Sequence, residues 1–135
     1  MYKNILIPLL LAPEHDAAPS FAAATVLGDP DATYTVLHVL ETIPSYAAVE
    51  IPGDVIAARR QAVAHDLTEC AKGLPGAKAQ LISGHSGRAI LDFADANDID
   101  CIIIASHQPG LEDYFLGSTA SRIVRHAKCA VHVMR

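Results

Sequence analysis

The sequence has no tryptophan, and only 5% of its 135 residues are aromatic, although 51% are apolar. Small and branched aliphatic side chains must therefore build the core, as they do between helices and a sheet. No apolar run reaches the roughly 20 residues that a transmembrane helix needs, so we expect no membrane partner. A net charge of −5 gives no overall attraction to nucleic acid. The length suits one domain, which we expect to span residues 1–135.

Cysteines and metal-ligand patterns are also scarce. Cys70, Cys101 and Cys129 are odd in number and widely spaced, which argues against a disulfide framework and favours a reducing cytoplasm. The start of the chain has no convincing cleavage site for a signal peptide. Seven histidines are scattered, without a paired Cys-x-x-Cys or H-E-x-x-H spacing. We therefore expect a cytoplasmic protein with no metal site built from its own side chains.

Apolar runs alternate with amphipathic segments along the whole chain. The runs predict strands at 5–11, 34–40, 77–82, 101–105 and 130–134, and the amphipathic segments predict helices at 16–27, 54–74, 86–97 and 118–127. Mixed polarity places the strand at 77–82 at a sheet edge. Alternating strands and helices form parallel sheets covered on both faces. The sequence therefore predicts an α/β fold, a doubly wound five-stranded parallel sheet with helices on both faces.

Ligands of such sheets bind beyond the carboxyl ends of the strands, where the winding reverses. The fourth predicted strand is followed by a loop and then by Gly117, Ser118 and Thr119 at the start of a helix. A helix start offers unpaired N–H groups and a partial positive charge to a phosphate. The same residues are also consistent with an ordinary helix start. Neither a Walker-type loop nor a G-x-G-x-x-G fingerprint is present.

The end of the chain carries a more specific pattern. It reads Ile-Ile-Ala-Ser-His-Gln-Pro at 103–109, Leu-Gly-Ser at 116–118 and Val-Arg-His-Ala-Lys-Cys-Ala-Val at 124–131. These segments resemble the universal stress protein family, and the first strand and Leu-His-Val at 37–39 are similar to it as well. The resemblance covers nearly the whole chain and is strongest with the small single-domain F/G-type branch. It implies a Rossmann-like fold of the adenine nucleotide alpha hydrolase type.

The resemblance also implies a site for ATP or AMP. The site residues that it transfers to this chain are Pro8, Leu9, Val39, Ala105, Ser106, His107, Gln108, Gly117, Ser118 and Thr119. In that assignment the first three line the adenine and ribose. Residues 105–108 run beside the ribose and α-phosphate, and residues 117–119 hold the outer phosphates. Mg²⁺ would accompany ATP through its phosphate oxygens.

Three departures from the family pattern bear on this site. Ala105 and Gln108 stand where the nucleotide-binding members have glycines, and the spacer before Gly117 has eight residues instead of nine. Leu10 stands where the family often has an aspartate near the adenosine. A bulkier Gln108 and a missing carboxylate would weaken nucleotide binding. A nucleotide-free interaction module on the same fold is therefore a second hypothesis.

The last predicted strand, Ala130–Met134, offers an edge that should pair with something, and the resemblance implies a homodimer formed through it. No nucleophile and base can be placed together from the sequence, so we assign no catalytic residues. We expect a regulatory or stress-response protein, with at most slow ATP hydrolysis or autophosphorylation.

Overall fold

Nine elements alternate along the chain in the computed structural model, which describes residues 1–11, 15–41, 46, 49–106 and 117–135. The strands are β1 (Tyr2–Pro8), β2 (Gly28–Glu41), β3 (Lys78–Gly84), β4 (Cys101–Ala105) and β5 (Ala130–Met134). The helices are α1 (Ala18–Leu27), α2 (Gly53–Ala71), α3 (Ser86–Ala96) and α4 (Ser118–His126). Of the segments between these elements, residues 42–45, 47–48 and 107–116 lie outside the described residues, and so does most of the loop that follows the fourth strand.

All five strands run parallel in one sheet with the order β3-β2-β1-β4-β5. The chain winds outward from β1 to β2 and β3, then crosses back to β4 on the other side of β1. This order confirms the predicted doubly wound sheet and the edge position of β3, and it puts the reversal of winding between β1 and β4. Within the described ranges, no helix has the length and apolar character needed to cross a membrane.

The core lies in two layers, one on each face of the sheet. Ile5 and Ile7 of β1 face α1 and α2, where they pack with Phe21 and Leu67. Leu6, between them, faces α3 and α4, where the core includes Ile90 and Ile123. Adjacent residues of a strand point to opposite faces, so a strand covered on both faces must be apolar throughout. That requirement explains the continuous apolar runs of β1 and β4.

The first strand ends earlier than predicted. β1 stops at Pro8, and Leu9, Leu10 and Leu11 follow it outside the strand. Proline has no N–H to give to a neighbouring strand, which suits the last position of β1. The N–H of Leu9 still donates to the carbonyl of Leu37 at 2.8 Å. The three leucines therefore continue beyond the sheet instead of lengthening it.

The second strand is longer than predicted, because it starts at Gly28, directly after α1. Tyr2 pairs with Gly28 and Asn4 with Thr33, so several residues of β2 bulge out between the two pairings. A Cβ at Gly28 would collide with the hydroxyl of Tyr34. A side chain at Gly28 would therefore require the Tyr34 side chain to move and would press on Ala32 and Ala24.

The amino end of β1 is held by side chains from the turn between α3 and β4. The carboxylate of Asp100 accepts hydrogen bonds from the N–H groups of Lys3 and Asn4, at 2.8 and 2.9 Å. The side chain of Asn4 donates to the carbonyls of Asn97 and Asp98, at 2.7 and 3.2 Å. These bonds fix the edge of the sheet that lies opposite the carboxyl ends of the strands.

Candidate functional site

A cavity of about 480 Å³ lies at the carboxyl ends of β1, β2 and β4. This is the predicted position beside the reversal of winding, and the volume is that of an ordinary small-molecule site. Its described wall consists of strand ends and of residues at or near α1, α2, α3 and α4: Pro8, Leu9, Leu10, Leu11, His15, Asp16, Ala17, Ser20, Leu37, His38, Val39, Asp66, Cys70, Ser86, Ile90, Ile104, Ala105 and Thr119.

Five of the ten residues that the sequence pattern singled out line this cavity: Pro8, Leu9, Val39, Ala105 and Thr119. Four of them follow from the topology, because parallel strands bring their carboxyl ends to one edge. The fifth comes from the first turn of α4. Ser106, Gly117 and Ser118 are described but are not part of the wall, and His107 and Gln108 lie outside the described residues.

Ser106 forms its hydrogen bonds within the sheet and not towards the cavity. It is buried, its N–H donates to the carbonyl of Met134 at 2.9 Å, and its hydroxyl donates to the same carbonyl at 3.1 Å. Both polar groups extend the pairing of β4 with β5 by one residue. Its hydroxyl is thus already bonded, whereas the preceding residue, Ala105, lines the cavity.

The start of α4 is open to a ligand. Gly117 precedes the helix without a side-chain cap, and Ser118 and Thr119 form its first two residues. The first N–H groups of a helix have no partner within the helix and carry its positive end. Gly117 has a φ of −60°, and a Cβ placed on it would lie 3.7 Å from the nearest atom, the carbonyl oxygen of Ser106. The described fold therefore has room for a side chain at Gly117.

A second helix start meets the cavity at Ser86, the first residue of α3. The carboxylate of Glu41, at the end of β2, accepts hydrogen bonds from the hydroxyl of Ser86 and, at 3.3 Å, from its N–H. The residue before the helix, His85, gives no side-chain cap. Glu41 therefore supplies that cap from a distant part of the sequence. This cap could not be predicted from local sequence, because the two residues are 45 positions apart.

The opposite side of the cavity is formed by the start of α1 together with α2. Asp16 accepts a hydrogen bond from the N–H of Ala18 at 3.0 Å and so caps α1. Ser20, one turn into the helix, is buried. Asp66 and Cys70 of α2 complete this side. Asp66 is exposed and also borders the cavity.

Two histidines also line the cavity. Nδ1 of His38 lies 2.8 Å from the carbonyl oxygen of Leu9, which ties the chain beyond β1 to the end of β2. Nε2 of His15 is buried and has no hydrogen-bond partner among the described residues. Neither histidine stood out in the sequence, because their neighbours are set by contacts between distant segments and not by local spacing.

The described wall contains one thiol, that of Cys70. Burial, and then the nearby carboxylate of Asp16, raise the pKa of the Cys70 thiol, which is therefore neutral at physiological pH and a poor nucleophile. Within the described part of the wall, no hydrogen bond joins a hydroxyl or thiol to a histidine. The described residues likewise contain no group of three or more side chains able to hold a metal ion.

Several solved structures share this architecture and hold nucleotides. One is a universal stress protein from Archaeoglobus fulgidus in complex with dAMP, 17% identical, with a TM-score of 0.63 over 99% of this chain and 98% of that one. Another is a family protein from Arabidopsis thaliana with AMP bound, 14% identical, with a TM-score of 0.61 over 98% and 90%. A third is a universal stress protein in complex with cAMP. At these identities the likeness is one of fold.

The sequence comparisons are closer. The chain is 25% identical to universal stress protein G of Salmonella typhimurium, over all of both chains. It is 30% identical to universal stress protein A homolog 2 of Coxiella burnetii, over 99% of this chain and 95% of that one. Universal stress protein UspA from Lactobacillus plantarum is 25% identical and superposes with a TM-score of 0.73, over 99% and 98%. The profile of the universal stress protein family matches residues 1–135, and the chain therefore belongs to that family.

Proposed function

We propose that this protein binds an adenine nucleotide, ATP or AMP, in the cavity at the carboxyl ends of β1, β2 and β4, and that it acts as a regulatory or stress-response protein. The observation that carries the proposal is the cavity itself. It lies where doubly wound sheets bind ligands, and it joins an apolar floor to the exposed start of α4.

The lining suits the two ends of a nucleotide. The half-buried Val39, near the end of β2, offers apolar surface to a flat base, and the other apolar residues of this part of the wall, Leu37 and Ile90, are buried. At the other end, Thr119 brings the cavity to the first turn of α4, whose free N–H groups attract phosphate. Because the chain is acidic overall, with a net charge of −5, phosphate binding must depend on such local donors.

Relatives of the same fold support adenine as the base. Structures that share the fold hold dAMP, AMP and cAMP, three adenine nucleotides that differ in the sugar or in the phosphate group. The common part of these ligands is adenosine-like, which fits the apolar surface at β2. We therefore assign the base end of the cavity to adenine and the α4 end to phosphate, with Gly117, Ser118 and Thr119 as the phosphate-binding residues.

Binding is the proposed activity, with at most slow turnover. The thiol of Cys70, which lines the cavity, is neutral and therefore a poor nucleophile. If ATP is the ligand, Mg²⁺ would be held by its phosphate oxygens and by water, as is usual for this ion. A slow hydrolysis of ATP would then suit a switch that resets with time.

Extraction and titration test the proposal directly. The purified protein is denatured with acid and the supernatant is analysed for ATP, ADP and AMP by chromatography. The nucleotide-free protein is then titrated with ATP and with AMP in a calorimeter, with and without Mg²⁺. We expect saturable heat with one nucleotide per chain. No extracted nucleotide and no heat at millimolar concentration would contradict the proposal.

The nucleotide-free interaction module is the second candidate, and one observation favours it. Leu10, at the position of the family's aspartate, lines the cavity and is 48% exposed. An exposed leucine beside a cavity suits an apolar partner better than a ribose. The same titration separates the two functions, because only the first produces heat with nucleotide.

We also propose that the protein is a cytoplasmic homodimer that assembles through β5. Ala130–Met134 forms one edge of the described sheet, so it has one side available for pairing. The cytoplasm suits its three free cysteines. Light scattering should give about twice the 14.3 kDa mass of the chain. A monomeric mass at working concentration would contradict the dimer.

A further inference from the structure

We infer that the free edge of β5 pairs antiparallel with the same edge of a second copy, so that His132 lies directly opposite its own counterpart and association weakens when this side chain is protonated. The inference rests on the proposed homodimer. It adds the register of the two strands, a pair of residues at the twofold axis, and a response to pH.

The two edges of the sheet differ in how they are protected against pairing. β3, at one edge, begins with the exposed Lys78, and Arg60 of α2 donates a hydrogen bond to the hydroxyl of Ser83, near its end, at 2.8 Å. β5, at the other edge, reads Ala-Val-His-Val-Met, with no lysine, acid or proline. Charges and prolines are the usual means of keeping an edge strand from pairing. The edge of β5 therefore suits pairing with another strand better than the edge of β3 does.

Alternation along β5 decides which of its backbone groups face outward. The carbonyl of Met134 accepts a hydrogen bond from the N–H of Ser106, so the backbone groups of Met134 point towards β4. Successive residues of a strand direct these groups to opposite sides. Those of His132 therefore also point towards β4, and those of Val131 and Val133 point away from it. Val131 and Val133 present the donors and acceptors of this edge.

Twofold symmetry then fixes the partner of each residue. Two identical edges that continue one sheet about a twofold axis run antiparallel. Full overlap of the five residues places Val131 opposite Val133 of the partner subunit, and each such pair exchanges two hydrogen bonds because both residues direct their backbone groups outward. His132 lies at the centre, opposite its own counterpart. That is the non-hydrogen-bonded position, in which opposite Cα atoms are only about 4.5 Å apart.

His132 is placed for such a contact. It is exposed and, because it pairs with Ile103 of β4, its side chain lies on the sheet face that α1 and α2 cover elsewhere. Its neighbours in β5 on that face are Ala130, also exposed, and Met134. The titratable group of β4 on this face is the thiol of Cys101, which is buried and neutral at physiological pH. β4, β5 and α1 contain no aspartate or glutamate that could favour a charged imidazole.

The charges around β5 also oppose protonation. Residues 117–135 contain no acid and four lysine or arginine side chains, Arg122, Arg125, Lys128 and Arg135, although the whole chain has a net charge of −5. Of these, Lys128 has an acidic partner in Asp95 of α3, at 3.5 Å. A twofold pair brings two such basic segments together. Like charges directly opposite each other on neighbouring strands are destabilising, and an imidazole changes its charge between about pH 5 and 8. Acid should therefore separate the two chains.

Cysteine cross-linking tests the register. His132→Cys places two thiols opposite each other at the axis, at a Cα separation that a disulfide can bridge. With oxidised glutathione as the oxidant, most of this variant should run as a covalent dimer on a gel without reductant. Ala130→Cys, at an exposed position on the same face, lies opposite Met134 and should remain mostly monomeric on the gel, as should the wild type with its own three cysteines. Equal cross-linking of the two variants would overturn the register.

Dimer dissociation constants test the response to pH. They are measured by sedimentation at about pH 8 and pH 5.5 for the wild type, for His132→Gln and for His126→Gln, which changes an exposed histidine at the end of α4. The wild-type constant should rise about tenfold or more at the lower pH, the effect of one close pair of like charges. His132→Gln, which has no titratable group at the axis, should stay within about threefold. His126→Gln should respond as the wild type does, and circular dichroism at both pH values shows that the chain stays folded.

Two further results separate this inference from the proposals made above. A dimer whose dissociation constant responds to pH equally in the wild type and in His132→Gln would overturn the inference alone. A monomeric mass at every pH would overturn both the inference and the homodimer. Neither result concerns nucleotide binding, which the calorimetric titration decides.

Discussion

The two ends of β1 differ in how their polar groups are satisfied. At the amino end, Asp100 and Asn4 pair with the neighbouring backbone through four hydrogen bonds. At the carboxyl end, the buried Nε2 of His15 has no partner among the described residues and the start of α4 carries no side-chain cap. One end therefore contributes stability, and the other keeps its hydrogen-bonding capacity for a ligand. Mutations at the two ends should separate folding from binding.

The largest effect is expected at the start of α4. In Gly117→Asp a carboxylate would face the outer phosphates, and ATP affinity should fall about 100-fold, or about 2.7 kcal/mol. Aspartate is a favoured residue before a helix and its Cβ has room, so the melting temperature should hold or rise. The matched control is Gly117→Asn, which has nearly the same shape without the charge and should lose far less affinity. Equal losses in the two variants would mean that charge is not the cause.

At the opposite end, Asp100→Ala should lower the free energy of unfolding by about 2 kcal/mol, because two backbone N–H groups lose their acceptor. AMP affinity should change by less than about twofold, since the site lies at the other edge of the sheet. Urea unfolding and calorimetry measure the two quantities. Asp92→Ala, which removes an exposed carboxylate 4.0 Å from Arg88, is the control and should have little effect. A large loss of AMP affinity in Asp100→Ala would show that the two ends of β1 are energetically coupled, and it would contradict the separation of folding from binding.

The thiol of Cys101, which lies between the two ends, should make the stability of the fold depend on pH. Burial raises the pKa of Cys101 from 9.0 to about 11, so the folded state holds this proton more tightly than the unfolded state does. Stability from this group is complete below the unfolded pKa and is lost as the pH rises towards 11. Between about pH 8 and pH 10 the wild type should lose about 1 kcal/mol more than Cys101→Ala. If the free energy of unfolding changed with pH in the same way in both proteins, the Cys101 thiol would not be the cause of the loss.

The smallest effect is expected for the cap on α3. Glu41→Ala removes the acceptor for Ser86 and should lower the free energy of unfolding by about 0.5 to 1 kcal/mol. Glu41→Gln keeps an oxygen acceptor and should recover part of the loss. Glu69→Ala, a change at an exposed residue paired with Lys72, should leave stability unchanged. If Glu41→Ala is as stable as Glu69→Ala, the cap contributes nothing in solution.

Much of the fold could be predicted from periodicity. The bounds of β4 and β5 are those predicted, because a short apolar run between clear breaks has few other readings. β1 was predicted too long because Leu9, Leu10 and Leu11 are apolar for another reason, which is that they line a cavity. β2 was predicted too short because its first residues are polar and partly bulged. An apolar run indicates that its residues contact other apolar groups. It does not show whether those residues belong to a strand or to the wall of a cavity.

Only part of the candidate site could be predicted from the sequence. Residues after strands, such as Val39 and Ala105, follow from topology and local order. Asp16, Ser20 and Asp66 could not be placed, because they meet only when α1 and α2 pack against the same face of the sheet. That side of the cavity depends on contacts between distant segments, which a single sequence does not encode in any local pattern.

Backbone amide resonances give the most direct test of the central claim, that the carboxyl edge of the sheet binds an adenine nucleotide. A ¹⁵N-labelled sample would be titrated with AMP while the amide shifts are followed. The account predicts saturable shifts at Leu9, Val39, Ala105 and Thr119, together with unmoved resonances for Lys3 and Asn4 at the opposite edge. Unchanged spectra at millimolar AMP, or shifts concentrated at Lys3 and Asn4, would contradict it.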